Sequence, residues 1–271
     1  MSASKYISAH DEFAVIATER LERQAQVTEY PSLSVLISTA RPSDLLAILL
    51  QLERQTLPQF ELILGLHNFD LNNAHRSAIK TLDKRNVRVV FQNFDKSFTL
   101  GKILTSLGKL SKGEFIAKMD DDDTYGPHHL SDLLEVIIIK QADVVGRAMN
   151  FVYVEALDLT VRRMTSQGIS MANVWTDWVC GGTILAKRTS AEAAGWFGTG
   201  KNAVDTFLLQ GIKSNGGKIW RTYGTGYIYH RKIAAQTYAT SYSKYLRANV
   251  EQCVGIWPHN CLLYTSPSPR D

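Results

Sequence analysis

Four consecutive aspartates, Asp120 to Asp123, follow the apolar run FIAKM and precede TYGP. Adjacent carboxylates repel one another, so the cluster is either a well-solvated acidic turn or a cation site. Side chains alternate along an extended chain, which places Asp120 and Asp122 on one side and Asp121 and Asp123 on the other. Such a D-x-D pair offers the hard oxygen ligands that Mg²⁺ and Mn²⁺ prefer and share with substrate phosphates. A cation held there would act as a Lewis acid on a departing diphosphate.

Two other acidic motifs are compared with this stretch. A calcium-binding EF-hand loop needs glycine at position six and glutamate at position twelve, but these positions hold Tyr125 and Ser131. The string DDDDT also matches the D-x-D-x-T nucleophile motif of haloacid-dehalogenase-type phosphatases. That motif normally follows the first strand of the core and is completed by a later Gly-Asp-rich motif. Here it follows the fourth predicted strand and no such motif appears, so a phosphatase is the minor alternative.

Four further positions carry side chains that suit chemistry. Asp205 begins a predicted helix in a basic region, where it either stabilises the first helical turn or acts as a general base toward an attacking hydroxyl. His230 and Arg231 end the strand GYIYHR. The histidine suits a metal shell and the arginine a bidentate phosphate contact, although both also suit an ordinary polar strand end. Arg41, after the first strand, has the same two interpretations.

Alternating strands and helices position the quartet. The first helix of the series is expected to have Ser43 as its N-cap, after Pro42 ends the first strand. Buried strands are predicted over 33–39, 60–66, 86–92 and 114–119, with helices between them and over 126–140. This order indicates a parallel sheet wound by crossover helices. The quartet then lies just beyond the carboxyl end of a strand, the edge at which open α/β sheets bind ligands.

The pattern after residue 148 is less regular. It predicts two strands over 150–164, a strand over 179–188 that begins with a glycine pair, a helix over 203–217 and two closing strands. An amphipathic helix over 10–26 is expected outside the main domain. The closing residues 261–271, CLLYTSPSPRD, match the translation of a transposase-type sequencing adapter, so we expect an artefact rather than a natural Ser/Pro tail. The natural chain is expected to continue beyond Asn260.

Composition limits the class of protein. The chain has 271 residues, 45% apolar and 21% charged, which suffices for one sizeable core. No stretch approaches 18 consecutive apolar residues and the N-terminus lacks a signal layout, so a cytoplasmic location is expected. Apart from Cys261, Cys180 and Cys253 are predicted to be reduced thiols. Residues 201–250 contain eight Lys or Arg and one acid, which indicates either an anionic partner or a solvated basic face.

The order of these motifs resembles the family 2 glycosyltransferases of the GT-A fold over residues 32–238. TARP follows the first strand, a D-x-D follows GEFIAKM, and GGTILAKR, a VD at a helix start and GYIYHR follow in turn. The resemblance implies an α/β fold of GT-A type: a Rossmann-like, mostly parallel sheet flanked by helices, with a smaller acceptor-side region. We expect a helical extension over 1–30, the GT-A domain over 31–238 and a helical segment over 239–260.

The resemblance also implies an activity. It is an inverting, metal-dependent transfer of a sugar from a nucleotide-diphosphate donor to an acceptor hydroxyl, with Asp205 as the catalytic base. Mn²⁺ or Mg²⁺ is the implied cofactor, with Asp120, Asp122 and His230 as its ligands. The implied donor-binding residues are Thr39, Ala40, Arg41, His67, Asp120, Asp121, Gly181, Gly182 and Arg231.

Three positions depart from the family pattern. His67 stands where the family often has an aspartate, and Val204 stands where it usually has a glutamate before the base. Gln236, Thr237 and Tyr238 replace a box that resembles His-Thr-Trp. These departures keep open a second hypothesis, a catalytically silent nucleotide-sugar-binding domain.

The expected partners follow from the resemblance and the charge distribution. They are a UDP-sugar donor and a glycan or lipid-linked acceptor of cell-envelope polysaccharide biosynthesis, with peripheral contact at the inner face of the plasma membrane and no nucleic acid. The sequence does not identify the sugar, the acceptor or the linkage.

Overall fold

A computed structural model describes residues 8–164, 171–233 and 241–257. The adapter-like residues 261–271 and the positions Gln236, Thr237 and Tyr238 lie outside the described residues. Helices are α1 (Ala9–Gln26), α2 (Pro42–Glu53), α3 (Asn73–Lys84), α4 (Leu100–Leu110), α5 (His129–Lys140), α6 (Arg188–Ala193), α7 (Val204–Ser214) and α8 (Tyr242–Leu246). Strands are β1 (Leu33–Thr39), β2 (Glu61–His67), β3 (Arg88–Phe94), β4 (Phe115–Lys118), β5 (Thr124–Tyr125), β6 (Val144–Arg147), β7 (Phe151–Val154), β8 (Leu159–Arg163), β9 (Val174–Thr176), β10 (Leu185–Lys187), β11 (Ile219–Thr222), β12 (Tyr227–Arg231) and β13 (Asn249–Val254).

The larger sheet has the strand order β3-β2-β1-β4-β10-β6-β11-β9. Strand β1 pairs in parallel with β2 and β4, and β11 pairs in parallel with β6. Strands β10 and β9 are the antiparallel members. The register aligns Thr39 with Leu66 and Leu36 with Lys118, so the first strand and its neighbours end at one edge. The predicted α/β fold with a mostly parallel central sheet is confirmed.

Two apolar layers cover the larger sheet. On one face, α2, α3 and α5 pack against β1, β2 and β4 through residues such as Leu49, Leu82 and Leu133. On the other face, α4 and α7 pack through residues such as Leu107 and Leu208. Burial on both faces explains why the first two strands are nearly continuous apolar runs. The consequence is a rigid sheet whose carboxyl edge holds the polar loops in place.

A smaller sheet, of order β13-β8-β7-β12-β5, lies beside the larger one. Helix α1 packs against it through Phe13, next to Phe151 and Trp257, and against α5 through an ion pair between Arg20 and Asp132 at 2.7 Å. The expectation that this helix lies outside the main domain is therefore wrong. A buried salt bridge and an apolar contact hold it to the body, and neither is visible in local periodicity.

Three other expectations differ from the structure. Helix α2 begins at Pro42 with Arg41 as its N-cap, because proline is favoured in the first helical turn, so Ser43 is not the cap. Gly181–Thr183 forms a 3-10 turn before the short strand β10 rather than part of one long strand. In the predicted helical segment over 239–260, α8 has only five residues, and β13 pairs antiparallel with β8. Within the described residues, no helix is long and apolar enough to cross a membrane.

Candidate active site

The aspartate quartet lies in a turn between β4 and β5. Strand β4 ends at Lys118, so the extended alternation stops before the first aspartate. As a result, Asp121 and Asp122 both contact the guanidinium of Arg41, at 3.0 Å in the case of Asp122 Oδ2. Asp120 instead faces Gly182 together with Asp123. The predicted strict alternation of the four side chains is therefore wrong, because the chain turns, but Asp120 still lies near enough to Asp122 for its charge to help raise the pKa of that carboxyl.

Asp121 organises the end of β1. Its buried carboxylate accepts hydrogen bonds from Thr39 Oγ1 and Arg41 Nη2. Arg41 Nε lies 2.9 Å from Asp44 Oδ2, which also lies 2.7 Å from Lys232 Nζ. These contacts bring the predicted donor residues Thr39, Arg41 and Asp121 together. Ala40 lies between them on the exposed turn.

Asp123 connects the quartet to the smaller sheet. It is buried and accepts hydrogen bonds from Tyr227 Oη at 2.6 Å and from the backbone N–H of His230 at 2.9 Å. Burial, and then the charges of Asp122 and Asp120, raise the pKa of Asp123 well above its usual value. Asp123 therefore fixes β12 beside the turn, which is a structural task that the sequence pattern did not assign to it.

The glycine pair lies between the quartet and Asp205. A Cβ atom on Gly181 would lie only 2.0 Å from Asp205 Oδ2. A Cβ atom on Gly182 would lie 2.9 Å from Asp120 Oδ2 and 3.0 Å from Asp123 Oδ2. Because real Cβ contacts are longer than this, only glycine fits at Gly181 without moving the carboxylate. The absence of side chains at Gly181 and Gly182 lets Asp205 and Asp120 approach the same stretch of backbone.

Asp205 is at the start of α7, as the sequence predicted. The preceding residue, Val204, is buried in the apolar layer that α4 and α7 form on the larger sheet. Asp205 therefore has no acidic neighbour before it, and it is the residue of this pair that reaches the site. Burial raises the pKa of Asp205 while the charge of Lys118 lowers it, and the net direction is upward.

Lys118 is the residue of the site that sequence reasoning missed. Its side chain is 3% exposed, and Nζ lies 2.8 Å from Asp120 Oδ1, 3.0 Å from Asp205 Oδ1 and 3.2 Å from the Gly181 carbonyl oxygen. Burial lowers the pKa of Lys118, but the charges of Asp120 and Asp205 outweigh it and raise the pKa. One signal was available: a lysine inside a buried apolar strand needs an anionic partner.

The remaining predicted site residues are His230, Arg231 and His67. His230 Nε2 is 2.8 Å from Thr124 Oγ1 and its ring lies 5.2 Å from that of Tyr153. Burial, and then the charge of Lys232, lower the pKa of His230 to about 4. Its Nε2 would have to leave Thr124 to reach a metal. Arg231 lies with its guanidinium 5.7 Å from the ring of Tyr245, on the smaller sheet. His67 ends β2, at the same edge as Thr39.

The charge balance of the site suits a cation. Among the described residues, this network joins six carboxylates to three cationic side chains, namely Asp44, Asp120, Asp121, Asp122, Asp123 and Asp205 with Arg41, Lys118 and Lys232. Burial, and then the charge of Asp120, raise the pKa of Asp122 to about 6. In the described part of the chain, no group of three or more His, Cys, Asp or Glu side chains is placed so that it could hold a metal ion by itself. The arrangement fits an ion held by one or two carboxylates and completed by substrate oxygens.

Comparisons with known proteins identify similar folds. No protein-family model matches the chain, and no curated protein matches it. Staphylococcus aureus TarS 1–349 superposes with a TM-score of 0.58 and 18% identity, over 73% of this chain and 60% of TarS 1–349. The same protein in complex with UDP-GlcNAc gives 0.59 and 16%, over 81% of this chain and 68% of that one. The mannosyltransferase PcManGT from Pyrobaculum calidifontis, in complex with GDP-Man and Mn²⁺, gives 0.57 and 14%, over 85% and 67%.

These comparisons establish a shared fold. This chain spans 60% of the length of TarS 1–349, and identities below a fifth do not transfer a substrate or a residue's role. The predicted GT-A-type architecture is thus confirmed by proteins whose solved complexes contain nucleotide sugars, and the chain has the α/β fold of these proteins.

Proposed function

We propose that this chain is a glycosyltransferase that moves a sugar from a nucleotide-diphosphate donor to an acceptor hydroxyl with inversion at the anomeric carbon. The observation that carries the proposal is the meeting of Asp120 and Asp205 at the glycine pair, at the carboxyl edge of the sheet. Ligands of open α/β sheets bind at this edge. Proteins of the same fold have been solved with UDP-GlcNAc and with GDP-Man and Mn²⁺.

The donor is proposed to bind between the end of β1 and the glycine pair. Thr39, Ala40, Arg41 and His67 lie at the carboxyl ends of β1 and β2, where the nucleoside would bind. Gly181 and Gly182 leave room for the donor sugar. Asp121 and Arg231 are proposed to contact the donor, and His230 is proposed as a metal ligand.

Asp120 and Asp122 are proposed to hold Mn²⁺ or Mg²⁺. When bound, that ion would supply a Lewis acid for the charge that develops on the leaving diphosphate. Arg41 contacts Asp122 and carries a fixed positive charge beside the quartet. Arginine forms bidentate contacts with phosphate oxygens, so Arg41 is suited to orient the same group.

Asp205 is proposed to be the general base. It accepts the proton of the acceptor hydroxyl at Oδ2 while Oδ1 stays beside Lys118. The hydroxyl oxygen forms a bond to the anomeric carbon as the bond from that carbon to the diphosphate oxygen breaks. The electron pair of the broken bond leaves with the nucleoside diphosphate. Attack from the face opposite the leaving group inverts the anomeric centre.

A binding and turnover panel tests this function. Purified protein is titrated with UDP-GlcNAc, UDP-glucose, UDP-galactose and GDP-mannose, each with Mn²⁺ and with EDTA, while thermal unfolding is followed. We expect at least one nucleotide sugar to raise the unfolding temperature only with Mn²⁺. Release of nucleoside diphosphate is then measured with the donor that binds.

Three outcomes separate the hypotheses. Metal-dependent binding with nucleotide release supports transfer. Binding with no release across glycan and lipid-linked acceptors identifies the catalytically silent domain. Phosphate release from small phosphomonoesters, with no binding of any nucleotide sugar, overturns the proposal in favour of a phosphatase.

A further inference from the structure

Lys118 lies between Asp120, a proposed metal ligand, and Asp205, the proposed general base. Asp120 is in the turn after β4, and Asp205 is at the start of α7, so the lysine joins two separate elements of the fold. Its ammonium group has three N–H donors, and it lies close to three acceptors: Asp120 Oδ1, Asp205 Oδ1 and the Gly181 carbonyl oxygen. The ammonium group donates hydrogen bonds to Asp120 Oδ1 and to the Gly181 carbonyl oxygen, and its contact with Asp205 Oδ1 at 3.0 Å is an ion pair.

The two carboxylates divide their oxygens in the same way. Asp205 Oδ1 is buried and accepts no hydrogen bond from the described residues, and Lys118 is its ion-pair partner; the side chain as a whole is 29% exposed, so its accessible area lies on its other atoms. Asp120 also gives Oδ1 to Lys118, and its side chain is 38% exposed. In both residues, Oδ2 is the oxygen that lies against the glycine pair. One oxygen of each aspartate therefore faces the lysine, and the other lies against the glycine pair.

We propose that Lys118 is a positioning residue for sugar transfer. By holding Oδ1 of both aspartates, it directs Oδ2 of Asp120 toward the metal and Oδ2 of Asp205 toward the acceptor hydroxyl. This inference rests on the proposed function and adds a residue to it. It also explains why a strand that is otherwise apolar carries a fully buried cation beside the site.

Removal of the ammonium group should misplace both carboxylates. A Lys118→Met substitution keeps the length and the apolar stem of the side chain but removes the shared donor. Asp120 and Asp205 then repel each other without a cation between them. Because a shift of about 1 Å in a reacting group costs about 100-fold in rate, we expect kcat to fall about 100-fold. We expect the affinity for the nucleotide sugar to fall as well, since Asp120 is affected too.

A double-substitution cycle distinguishes positioning from general stabilisation. The variants are Lys118→Met, Asp205→Asn and the double variant, with Lys112→Met as the control because Lys112 is exposed. At saturating nucleotide sugar and Mn²⁺, where the loss through Asp120 in binding no longer limits the rate, the loss from Lys118→Met is much smaller in the Asp205→Asn background than in wild type if Lys118 acts through Asp205. The proposal is overturned if the two single losses multiply in the double variant. It is also overturned if the kcat of Lys118→Met stays within about threefold of wild type, which is about the experimental scatter. Lys118→Gln keeps an N–H donor and gives about a tenfold loss, which tests the same point if the methionine variant is insoluble.

Unfolding in urea provides a readout that does not need activity. In the same set of variants, the unfolding constant of the double variant should differ by at least about fivefold from the product of the two single effects. The reason is that Lys118 and Asp205 are in contact. If wild-type protein binds no nucleotide sugar, the proposed function fails, and this cycle still tests the bridge. Coupled unfolding constants then support the contact between Lys118 and Asp205. Multiplicative constants show that the bridge is absent and overturn the inference.

Discussion

Two buried charge clusters in this molecule have opposite balances. Asp132 on α5 accepts hydrogen bonds from Arg20 at 2.7 Å, Arg23 at 2.9 Å and Arg147 at 3.1 Å. The sheet-edge site instead gathers more carboxylates than cations. The first cluster is complete within the protein. The second holds more carboxylates than its cations neutralise, and its excess charge raises carboxyl pKa values, which is typical of a functional site rather than of a structural cluster.

The pKa shifts express the same contrast. Burial raises the pKa of Asp132, but Arg20, Arg147 and Arg23 outweigh burial and hold that pKa well below its usual value. For Asp122, burial and the charge of Asp120 outweigh Arg41, and the pKa rises to about 6. Both carboxylates are buried or nearly so, and the sign of the shift depends on the number of cations around each one.

The largest expected effect is on turnover, in Asp205→Asn. Asparagine keeps the shape of the side chain but does not accept the acceptor proton, so kcat should fall by about 10²- to 10⁴-fold. Donor affinity should stay within about threefold, because the metal-side carboxylates are unchanged. The measurements are nucleoside diphosphate release and isothermal titration with donor. Asp177→Asn, at an exposed position, is the control. Near wild-type turnover would remove Asp205 from the role of base.

In the cluster around Asp132, the corresponding substitution is Asp132→Asn, and its expected effect is on stability. It removes the carboxylate that Arg20, Arg23 and Arg147 share, although Arg23 keeps its ion pair with Glu135, and breaking a buried pair costs about 3–5 kcal/mol of unfolding free energy. Urea denaturation at neutral pH measures this loss. Asp83→Asn, on the exposed end of α3, should change stability by less than about 0.5 kcal/mol. Equal effects of the two substitutions would contradict the picture of a complete buried cluster.

The cluster around Asp132 also predicts a pH dependence. The folded pKa of Asp132 lies below its unfolded value, so its stabilisation is fully present above about pH 4 and is lost as the pH falls toward the folded pKa. The difference in unfolding free energy between wild type and Asp132→Asn should therefore be constant from about pH 7 to 5 and shrink below about pH 4. Urea denaturation over this range measures it, and a difference that grows in acid would be the wrong sign.

A Gly181→Ala substitution affects the site without adding or removing a charge. The new methyl group would lie 2.0 Å from Asp205 Oδ2, so the carboxylate must move. We expect a loss of about 100-fold in kcat. Gly216→Ala is the control for activity alone: its methyl group meets nothing within 4 Å, and the strain of alanine at its positive φ should lower stability without changing kcat. If Gly181→Ala keeps full activity, the glycine does not hold the base in a precise position.

The smallest expected effect concerns Asp122→Asn and has opposite signs in two measurements. Removing one charge from a site with excess carboxylates should stabilise the protein without metal, by about 1 kcal/mol. The same change should weaken the Mn²⁺-dependent binding of the nucleotide sugar. Thermal unfolding with EDTA and donor titration with Mn²⁺ give the two values. A destabilised variant with unchanged donor affinity would place Asp122 with the structural carboxylates.

The sequence predicted the parts of the molecule that depend on local pattern. The first four strands agree with the predicted ranges within two residues, because apolar runs of this length and the turns between them are local signals. Asp205 could be placed at a helix start for the same reason. The predicted alternation of the four aspartate side chains was wrong because β4 ends at Lys118, two residues before Asp120.

Long-range contacts could not be predicted. The bridge from Lys118 to Asp205 joins residues far apart in the sequence, and so does the pairing of β13 with β8. A helix pattern over 10–26 is visible in the sequence, but its ion pair with Asp132 is not. The roles of Asp121 and Asp123 also depend on partners from other elements. A pattern thus locates carboxylates, and only the fold shows which of them have partners.

The first helix and the last described strand meet at one seam. The N–H of Ala9 donates to Glu251, which also binds Arg162, and Phe151 packs edge-to-face on Trp257. The same small sheet contains β12, whose His230 backbone is tied to Asp123. A minimal fragment cut near residue 30 or near residue 240 would therefore open this seam from either side. Such trimming should loosen the strand that borders the aspartate turn, so α1 and β13 both support the geometry of the centre.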